Sequence, residues 1–377
     1  MRSTSKSRVS SLLPDRGSRE TSTRGQRNFG LDAMRAIAIS LVVICHFSQG
    51  LDILGVCGVE LFFVLSGFLI GGILLRTVET SQGFRLQDLV NFLKRRWYRT
   101  LPNYYLFLLL YAAVAAAMVR HIPPVEWFFR YGLFLQNFAW PNPDWIFGQS
   151  WSLCVEEWFY LLTAGTLFLT MKAFSTLRHG RAWALAVTLG LFLAVPAILR
   201  FALRDQFGDL RTVAIFRLDA IAFGVFMAWI QTRRPGLWNR PATLLALGVA
   251  GAGAALAIYG ASPSATAGAL TLMPIAFALL LPACYRAPRP GIFLGQWVGN
   301  VSIWSYSIYM CHSLIYLGLG QLMGYDALSF TGKMTYKVIS LALIVLVSAL
   351  NYRFFEKPMT DLRDPSLRNR RPVQDHA

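Results

Sequence analysis

The stretch Leu31-Asp32-Ala33-Met34-Arg35 leads into an apolar run that ends at Ile44-Cys45-His46 and predicts a membrane helix. On a helix that rises about 1.5 Å per residue, the imidazole of His46 would lie roughly 16 Å above Arg35. Eleven steps of about 100° return to nearly the same face, so both side chains would look into one cleft. His46 would then lie near the middle of a hydrocarbon core about 30 Å thick, where an ionisable residue is costly and usually functional. The alternative is a structural histidine that is hydrogen-bonded across helices.

The composition is that of a membrane protein. Apolar residues make up 55% of the 377 residues and charged residues only 15%, which excludes a soluble globular domain. The predicted fold class is all-α, a polytopic bundle of about ten transmembrane helices with both termini on one side. The predicted spans are 36–54, 57–75, 101–119, 151–171, 182–201, 213–232, 242–260, 268–284, 297–320 and 334–355.

The formal net charge of +17 could indicate a nucleic-acid-binding protein, but the placement of the charges argues against nucleic acid as a partner. Of the 36 lysines and arginines, 28 fall on the side of the termini and 8 on the other side. By the positive-inside rule, the side that carries the termini is cytoplasmic.

Three segments lie outside the predicted spans. Residues 1–29 are rich in Ser, Thr, Arg and Gly and predict a disordered cytoplasmic tail, and residues 359–377 predict a cytoplasmic C-terminal tail. We expect residues 30–358 to hold the chemistry, because neither end carries a soluble catalytic domain. Residues 121–150 contain one apolar stretch too short for a span, which predicts a re-entrant or interfacial segment.

Two motifs could contact a ligand on the cytoplasmic half. Arg99 shares a helical face with Arg96 and also with Arg95, and paired guanidinium groups suit phosphate oxygens. From spacing alone, the favoured interpretation is a basic loop that only sets the membrane topology. The pair Ser66-Gly67 interrupts an apolar helix. It could admit a ligand or a neighbouring helix, and a simple packing notch is equally supported.

Three further residues are candidates for chemistry on spacing and type. Glu156 and Glu157 open the fourth span, where carboxylates are costly without partners. One of them could orient an imidazole or bind acceptor hydroxyls, and we expect the other to be interfacial beside an aromatic belt. His312 could be a second catalytic group, although a hydrogen-bonded core histidine is favoured. The histidines and cysteines form no paired motif, so no metal is expected.

Six motifs follow one another along the chain. They are Gly30-Leu31-Asp32 with Arg35 and His46, Phe62-Phe63-Val64-Leu65-Ser66-Gly67-Phe68-Leu69, Arg95-Arg96-Trp97-Tyr98-Arg99 with Pro102, Trp151-Ser152-Leu153-Cys154-Val155-Glu156-Glu157-Trp158-Phe159-Tyr160, Ser305-Tyr306-Ser307-Ile308-Tyr309 with His312, and Phe354-Phe355-Glu356-Lys357-Pro358. In this order they resemble the bacterial membrane acyltransferase-3 family over residues 29–358.

The resemblance implies a ten-helix enzyme of the bacterial cytoplasmic (inner) membrane. Such an enzyme moves an acyl group, commonly acetyl, from a cytosolic coenzyme A thioester to a hydroxyl group. Acceptors in the family include lipopolysaccharide, exopolysaccharide, peptidoglycan, nodulation oligosaccharides and macrolides. The chain resembles the stand-alone branch, which lacks an appended hydrolase-like domain.

The resemblance and the chemistry of acyl transfer together assign roles to nine residues. The catalytic residues are His46, Glu156 and Arg35, the cofactor-binding residues are Arg96, Arg99 and Arg95, and the substrate-binding residues are Glu157, Ser66 and His312. His46 would be the base or a transient acyl carrier, which the sequence does not distinguish. Glu156 fits the family pattern Ser-Leu-x-x-Glu-x-x-Phe-Tyr and would orient the reacting groups. The predicted donor is acetyl-CoA, and the predicted partners are a saccharide or glycolipid acceptor and membrane lipids, with a homo-oligomer left open.

Two alternatives remain at this stage. The acceptor could be a secreted small molecule such as a macrolide rather than an envelope saccharide. In another class, the protein could be a proton-coupled transporter or flippase that uses His46, His312 and Glu156 as a relay. The absence of visible inverted repeats and the arginine-rich cytoplasmic mouth disfavour the transporter.

Overall fold

A computed structural model describes residues 27–48, 50–81, 83–118, 120, 122–142 and 146–363, and within these residues all regular structure is helical. The helices are α1 (Phe29–Phe47), α2 (Asp52–Thr80), α3 (Leu86–Met118), α4 (Val125–Gly132), α5 (Trp151–Ala173), α6 (Gly180–Ala202), α7 (Leu218–Arg233), α8 (Pro235–Trp238), α9 (Pro241–Ile258), α10 (Pro263–Tyr285), α11 (Ile292–Met323), α12 (Phe330–Asn351) and α13 (Lys357–Asp361). Most of each predicted tail, residues 1–26 and 364–377, lies outside the described residues.

Ten of these helices are long, and each of the ten predicted spans falls on one of them. Eight helices in the described part of the chain are long and apolar enough to cross a membrane. The other two long helices, α5 and α11, carry polar residues such as Glu156, Glu157 and His312. The prediction of a polytopic helical membrane protein is therefore confirmed.

The long helices alternate in direction, which defines two sides of the bundle. Asn28 caps the start of α1 by accepting a hydrogen bond from the Leu31 N–H (3.0 Å) and donates to the carbonyl of Tyr285 at the end of α10 (2.8 Å). We call this side, which also carries the basic segments 76–99, 172–181 and 233–240, the basic side.

Several helix ends differ from the sequence prediction. Helix α1 runs from Phe29 to Phe47 and not over 36–54, so His46 is next to the last residue of the helix and not near the middle of a span. Helix α3 begins at Leu86 and runs without a break through Pro102, so Arg95, Arg96 and Arg99 lie on a helix and not in a basic loop before residue 101. At the C-terminus α13 continues to Asp361, so helical structure extends past the predicted boundary at residue 358.

The segment between α3 and α5 folds back into the bundle. The Tyr104 hydroxyl donates to the carbonyl of Tyr131 at the end of α4 (2.8 Å), and α3 continues for fourteen more residues to Met118. At about 1.5 Å per residue, the end of α4 lies roughly 20 Å below the end of α3. Of the two predicted alternatives, the contacts support a re-entrant segment, and α5 consequently begins inside the bundle.

Two fully buried ion pairs connect α2, α6 and the start of α7. Arg200 on α6 pairs with Asp219 on α7 (Nη2···Oδ2 2.6 Å), and Arg217 pairs with Glu60 on α2. Arg217 also donates to the carbonyl of Leu270 on α10 (2.9 Å). Both arginines fall within predicted spans, and each is completely buried and neutralised by a carboxylate.

The Ser66-Gly67 pair serves two separate purposes. Helix α2 is continuous here, so the expected interruption is absent. Gly67 lies against α7, where an added Cβ would approach the carbonyl oxygen of Ile221 to 1.9 Å. Gly67 is therefore a packing notch, and Ser66 on the neighbouring face lines a cavity.

Replacing Gly67 with alanine is expected to lower the free energy of unfolding by about 1–3 kcal/mol, because α2 and α7 must move apart. The matched control is Gly165→Ala on α5, where an added Cβ meets no atom within 4 Å. Gly165→Ala should be neutral or stabilising by about 0.5–1 kcal/mol. Thermal unfolding of both variants in detergent checks the contrast, and equal melting temperatures would contradict the close α2–α7 contact.

Candidate active site

A polar cavity of about 100 Å³ lies inside the bundle between α1, α2, α3, α5 and α11. Its polar lining residues are Arg35, Ser66, Arg96, Arg99, Thr100, Ser152, Glu156, Tyr160, Ser305, Tyr306 and Tyr309. We call it the arginine cavity. Five of the nine predicted site residues line it, although they come from four different helices. Polar groups in a membrane protein that converge in this way mark a functional site.

Three guanidinium groups meet one carboxylate in the arginine cavity. Arg35 is within reach of Asp32 (Nη1···Oδ1 3.7 Å) and donates to the Ser302 hydroxyl (3.3 Å). Arg96 and Arg99 have no ion-pair partner among the described residues. The cavity therefore has excess positive charge and would bind an anion such as a phosphate or a polarised carbonyl oxygen.

Glu156 is held by a tyrosine. Its Oε2 accepts a hydrogen bond from the Tyr160 hydroxyl (2.9 Å), and that hydroxyl lies 2.6 Å from Ser66 Oγ. The guanidinium of Arg96 lies over the Tyr160 ring at 5.9 Å. The described contacts of Glu156 thus lie in the arginine cavity and not on His46.

Glu157, the next residue of α5, points towards α3. Its Oε1 accepts a hydrogen bond from Thr100 Oγ1 (2.7 Å), and its buried Oε2 has no hydrogen-bond partner in the described part of the chain. Only 7% of Glu157 is exposed. The expectation that one glutamate of the pair is interfacial is wrong, because the re-entrant segment lets α5 begin inside the bundle.

His46 lies at the far end of α1 from Arg35 and contacts His312 on α11. The two imidazole rings are 4.8 Å apart, centroid to centroid, in an edge-to-face arrangement. His46 Nδ1 is 2.8 Å from the carbonyl of Val42. Because a carbonyl oxygen can only accept, Nδ1 carries the proton and the Nε2 lone pair of a neutral His46 remains available.

His312 is fully buried and fully hydrogen-bonded. Its Nδ1 donates to the carbonyl of Tyr309 (2.8 Å), and Ser313 Oγ lies 3.1 Å from its Nε2. Both ring nitrogens are therefore occupied, whereas the side chain of His46 is exposed. Of the two rings, His46 therefore has a nitrogen without a hydrogen-bond partner among the described residues, and His312 packs against it.

The arginine cavity and the histidine pair are neighbours on α11. Tyr309 lines the cavity, and its ring lies 5.8 Å from that of His312 and 6.2 Å from that of Phe62. The Tyr309 hydroxyl is 2.7 Å from Ser152 Oγ. His46 does not line the cavity that contains Arg35, contrary to expectation, and Tyr309 lies between this cavity and His312.

Besides His46 and His312, two predicted residues do not line the arginine cavity. Arg95 is exposed on α3 and does not line the cavity, and Glu157 faces Thr100 just beside it. Sequence reasoning missed Tyr160 and Tyr309. The helical spacing could have found both, since Tyr160 is four residues after Glu156 and Tyr309 three before His312.

Residues 28–353 match the family described as an acyltransferase domain, and the chain belongs to this family. It is 29% identical to the peptidoglycan O-acetyltransferase OatA of Listeria monocytogenes over 40% of the chain and 26% of that protein. It is 29% identical to the putative peptidoglycan O-acetyltransferase YrhL of Bacillus subtilis over 48% of the chain and 29% of that protein.

The longest of the reported similarities extends over most of the chain. The O-acetyltransferase OatA of Staphylococcus aureus is 24% identical over 88% of the chain and 57% of that protein. The chain thus spans between about a quarter and somewhat over half of the length of these relatives. No solved structure matches the chain.

Proposed function

We propose that the protein is a membrane O-acetyltransferase that moves an acetyl group from acetyl-CoA to a hydroxyl of a saccharide. The observation that carries the proposal is the arrangement along α1 of an acyltransferase-family chain. An anion-binding arginine cavity lies at Arg35, and a histidine with a free Nε2 lies eleven residues further on. On a helix this spacing corresponds to about 16 Å, which suits a donor whose phosphates and reactive thioester are far apart.

The donor would bind from the basic side, which we assign to the cytoplasm of a bacterial inner membrane by the positive-inside rule. Arg96 and Arg99 would hold phosphate oxygens, because neither has a carboxylate partner among the described residues. Arg35 contacts Asp32 and Ser302. It would bind the part of the donor that lies between the phosphate-binding arginines and the histidine pair. The pantetheine arm would then pass Tyr309 and Phe62 to reach His46.

His46 would act as the general base. Its Nε2 removes the proton of the acceptor hydroxyl while the hydroxyl oxygen attacks the thioester carbonyl. The C–S bond then breaks, the acetyl group stays on the acceptor oxygen, and the imidazolium returns the proton to the coenzyme A thiolate. The edge contact with the neutral ring of His312 holds the imidazole in place. Glu156, Glu157 and Ser66 would position the reacting groups through Tyr160 and Thr100.

The acceptor would reach His46 from the side opposite the basic side. The names of the relatives indicate peptidoglycan as the acceptor to test first. Lipopolysaccharide O-antigen and exopolysaccharide complete the panel, because a histidine base can accept the proton of a hydroxyl group from any saccharide.

The test is acetyl transfer by membranes that contain the protein. Radiolabelled acetyl-CoA is supplied with purified peptidoglycan, lipopolysaccharide or exopolysaccharide, and label in each saccharide is measured. Label in one of them supports the proposal and names the acceptor. Solute flux across the membrane without consumption of acetyl-CoA would contradict the proposal and indicate a transporter.

Replacing Arg99 with alanine is expected to raise the KM for acetyl-CoA roughly 10- to 100-fold, because a charge-assisted hydrogen bond to phosphate is lost. Lys94→Ala is the matched control, since Lys94 is an exposed cation on the same helix outside the arginine cavity. Steady-state kinetics over a range of donor concentrations separates KM from kcat. Equal KM values for the two variants would remove Arg99 from the donor site.

A further inference from the structure

A second cavity, far larger than the arginine cavity, opens on the basic side between α2, α5, α6 and α7. Its volume is about 1620 Å³, which exceeds the roughly 300–1,000 Å³ of ordinary small-molecule pockets. It shares no lining residue with the arginine cavity. We call it the lateral groove.

The walls of the lateral groove are apolar and face the surroundings of the bundle. They include Leu74, Phe159, Leu167, Phe192, Phe226 and Trp229. At its outer margin Leu177 is 50% exposed and Trp183 58% exposed. An apolar groove that is open sideways within a bilayer is in contact with lipid tails, so acyl chains can enter it without passing through water.

The rim of the lateral groove at the basic side is strongly cationic. Among the described residues, the cations that line it are Arg85, Lys172, Arg178, Arg181, Arg233 and Arg234, and the one acidic residue is Glu79. Glu79 pairs with Arg233 (2.8 Å). The other five cations have no carboxylate partner among the described residues, so they can pair with an external anion.

These cations lie where the helices leave the membrane. Lys172 is at the end of α5, Arg181 at the start of α6, and Arg233 at the end of α7. Lipid phosphates occupy the same level, and clustered Lys and Arg residues there attract anionic headgroups. The groove thus combines apolar walls with cations at the level of the lipid headgroups.

We propose that the lateral groove binds an anionic phospholipid of the leaflet on the basic side. Its acyl chains lie between α5, α6 and α7. Its phosphate is held by Arg178 in the turn between α5 and α6 and by Arg181 at the start of α6. A zwitterionic phospholipid carries its own cation and gains less from this rim. The proposal does not depend on the identity of the acceptor or on acetyl transfer.

The experiment is native mass spectrometry of the full chain in detergent, titrated with phosphatidylglycerol or phosphatidylcholine. The wild type is expected to bind phosphatidylglycerol about tenfold more tightly than phosphatidylcholine. Arg178→Gln/Arg181→Gln should abolish this preference and leave binding of phosphatidylcholine unchanged. The matched control is Arg289→Gln/Arg353→Gln, which removes two exposed cations on the same side that do not line the groove.

A second variant tests the acyl-chain part of the groove. Ala186 is an exposed residue of α6 that lines it, so Ala186→Trp should weaken binding of both lipids at least fivefold. Unchanged lipid binding by Ala186→Trp would overturn the proposal. So would an equal loss of phosphatidylglycerol binding in Arg178→Gln/Arg181→Gln and in the control Arg289→Gln/Arg353→Gln. Displacement of the lipid by inorganic phosphate or free coenzyme A would also overturn it, because the site would then serve a soluble anion.

Discussion

Replacing His46 with alanine is expected to lower the rate of acyl transfer by about 10²- to 10⁴-fold, the usual contribution of a general base. The Val42 carbonyl accepts the Nδ1 proton of His46 at 2.8 Å, so the Nε2 lone pair is the available basic site. Affinity for acetyl-CoA should remain close to that of the wild type, because Arg35 and Arg99 are untouched. Initial rates and donor binding by the purified protein in lipid nanodiscs measure the two quantities separately.

His179→Ala is the control for this experiment. His179 is an exposed histidine in the turn between α5 and α6 and does not line the arginine cavity. Its removal should leave the rate unchanged. Transfer at the wild-type rate by His46→Ala, with His179→Ala equally active, would show that another group removes the proton, and the family assignment would stand.

Breaking the ion pair between Arg200 and Asp219 is expected to cost about 3–5 kcal/mol of folding free energy. Both side chains are completely buried, and Asp219 accepts two hydrogen bonds from Arg200, at 3.1 and 2.6 Å. Asp219→Leu therefore leaves an unpaired guanidinium inside the bundle. The melting temperature in detergent and the fraction of monodisperse protein measure the loss.

The double variant Arg200→Met/Asp219→Leu should recover most of that stability, because it removes both charges together. The exposed pair of Arg204 and Asp205, at 3.4 Å, is the matched control. Asp205→Leu should change stability by less than about 1 kcal/mol, since solvent screens an exposed pair. If Asp219→Leu and Asp205→Leu melted at the same temperature, the buried pair would not hold α6 to α7.

The number of long helices and their approximate placement could be predicted from the sequence. Each of the ten apolar segments is long enough to span a bilayer, and in that solvent an apolar segment of such length must satisfy its backbone hydrogen bonds as a helix. The predicted helix ends were less accurate where polar residues interrupt the apolar pattern. Helix α3 extends back to Leu86 through a basic stretch, which hydropathy alone assigned to a loop.

The candidate site was predictable in part. Motif order placed Arg35, Ser66, Arg96, Arg99 and Glu156 in one site, and all five line the same cavity. Their partners were not predictable, because the contact of Glu156 with Tyr160 and Ser66 depends on how α5 packs on α2. Sequence spacing along α1 alone also could not show that Tyr309 stands between the arginine cavity and the histidine pair.

The sequence by itself determined a multi-pass helical membrane protein, its span boundaries to within a few residues in most cases, and its acyltransferase family. These properties depend on hydrophobic length and on local motifs, which a linear pattern contains. The tertiary structure alone decided that residues 122–142 fold back into the bundle and that Glu60 and Arg200 are buried in ion pairs. It also decided that His46, and not His312, has a free ring nitrogen. Each of these depends on contacts between helices distant in sequence, and packing selects those contacts only when the whole bundle has formed.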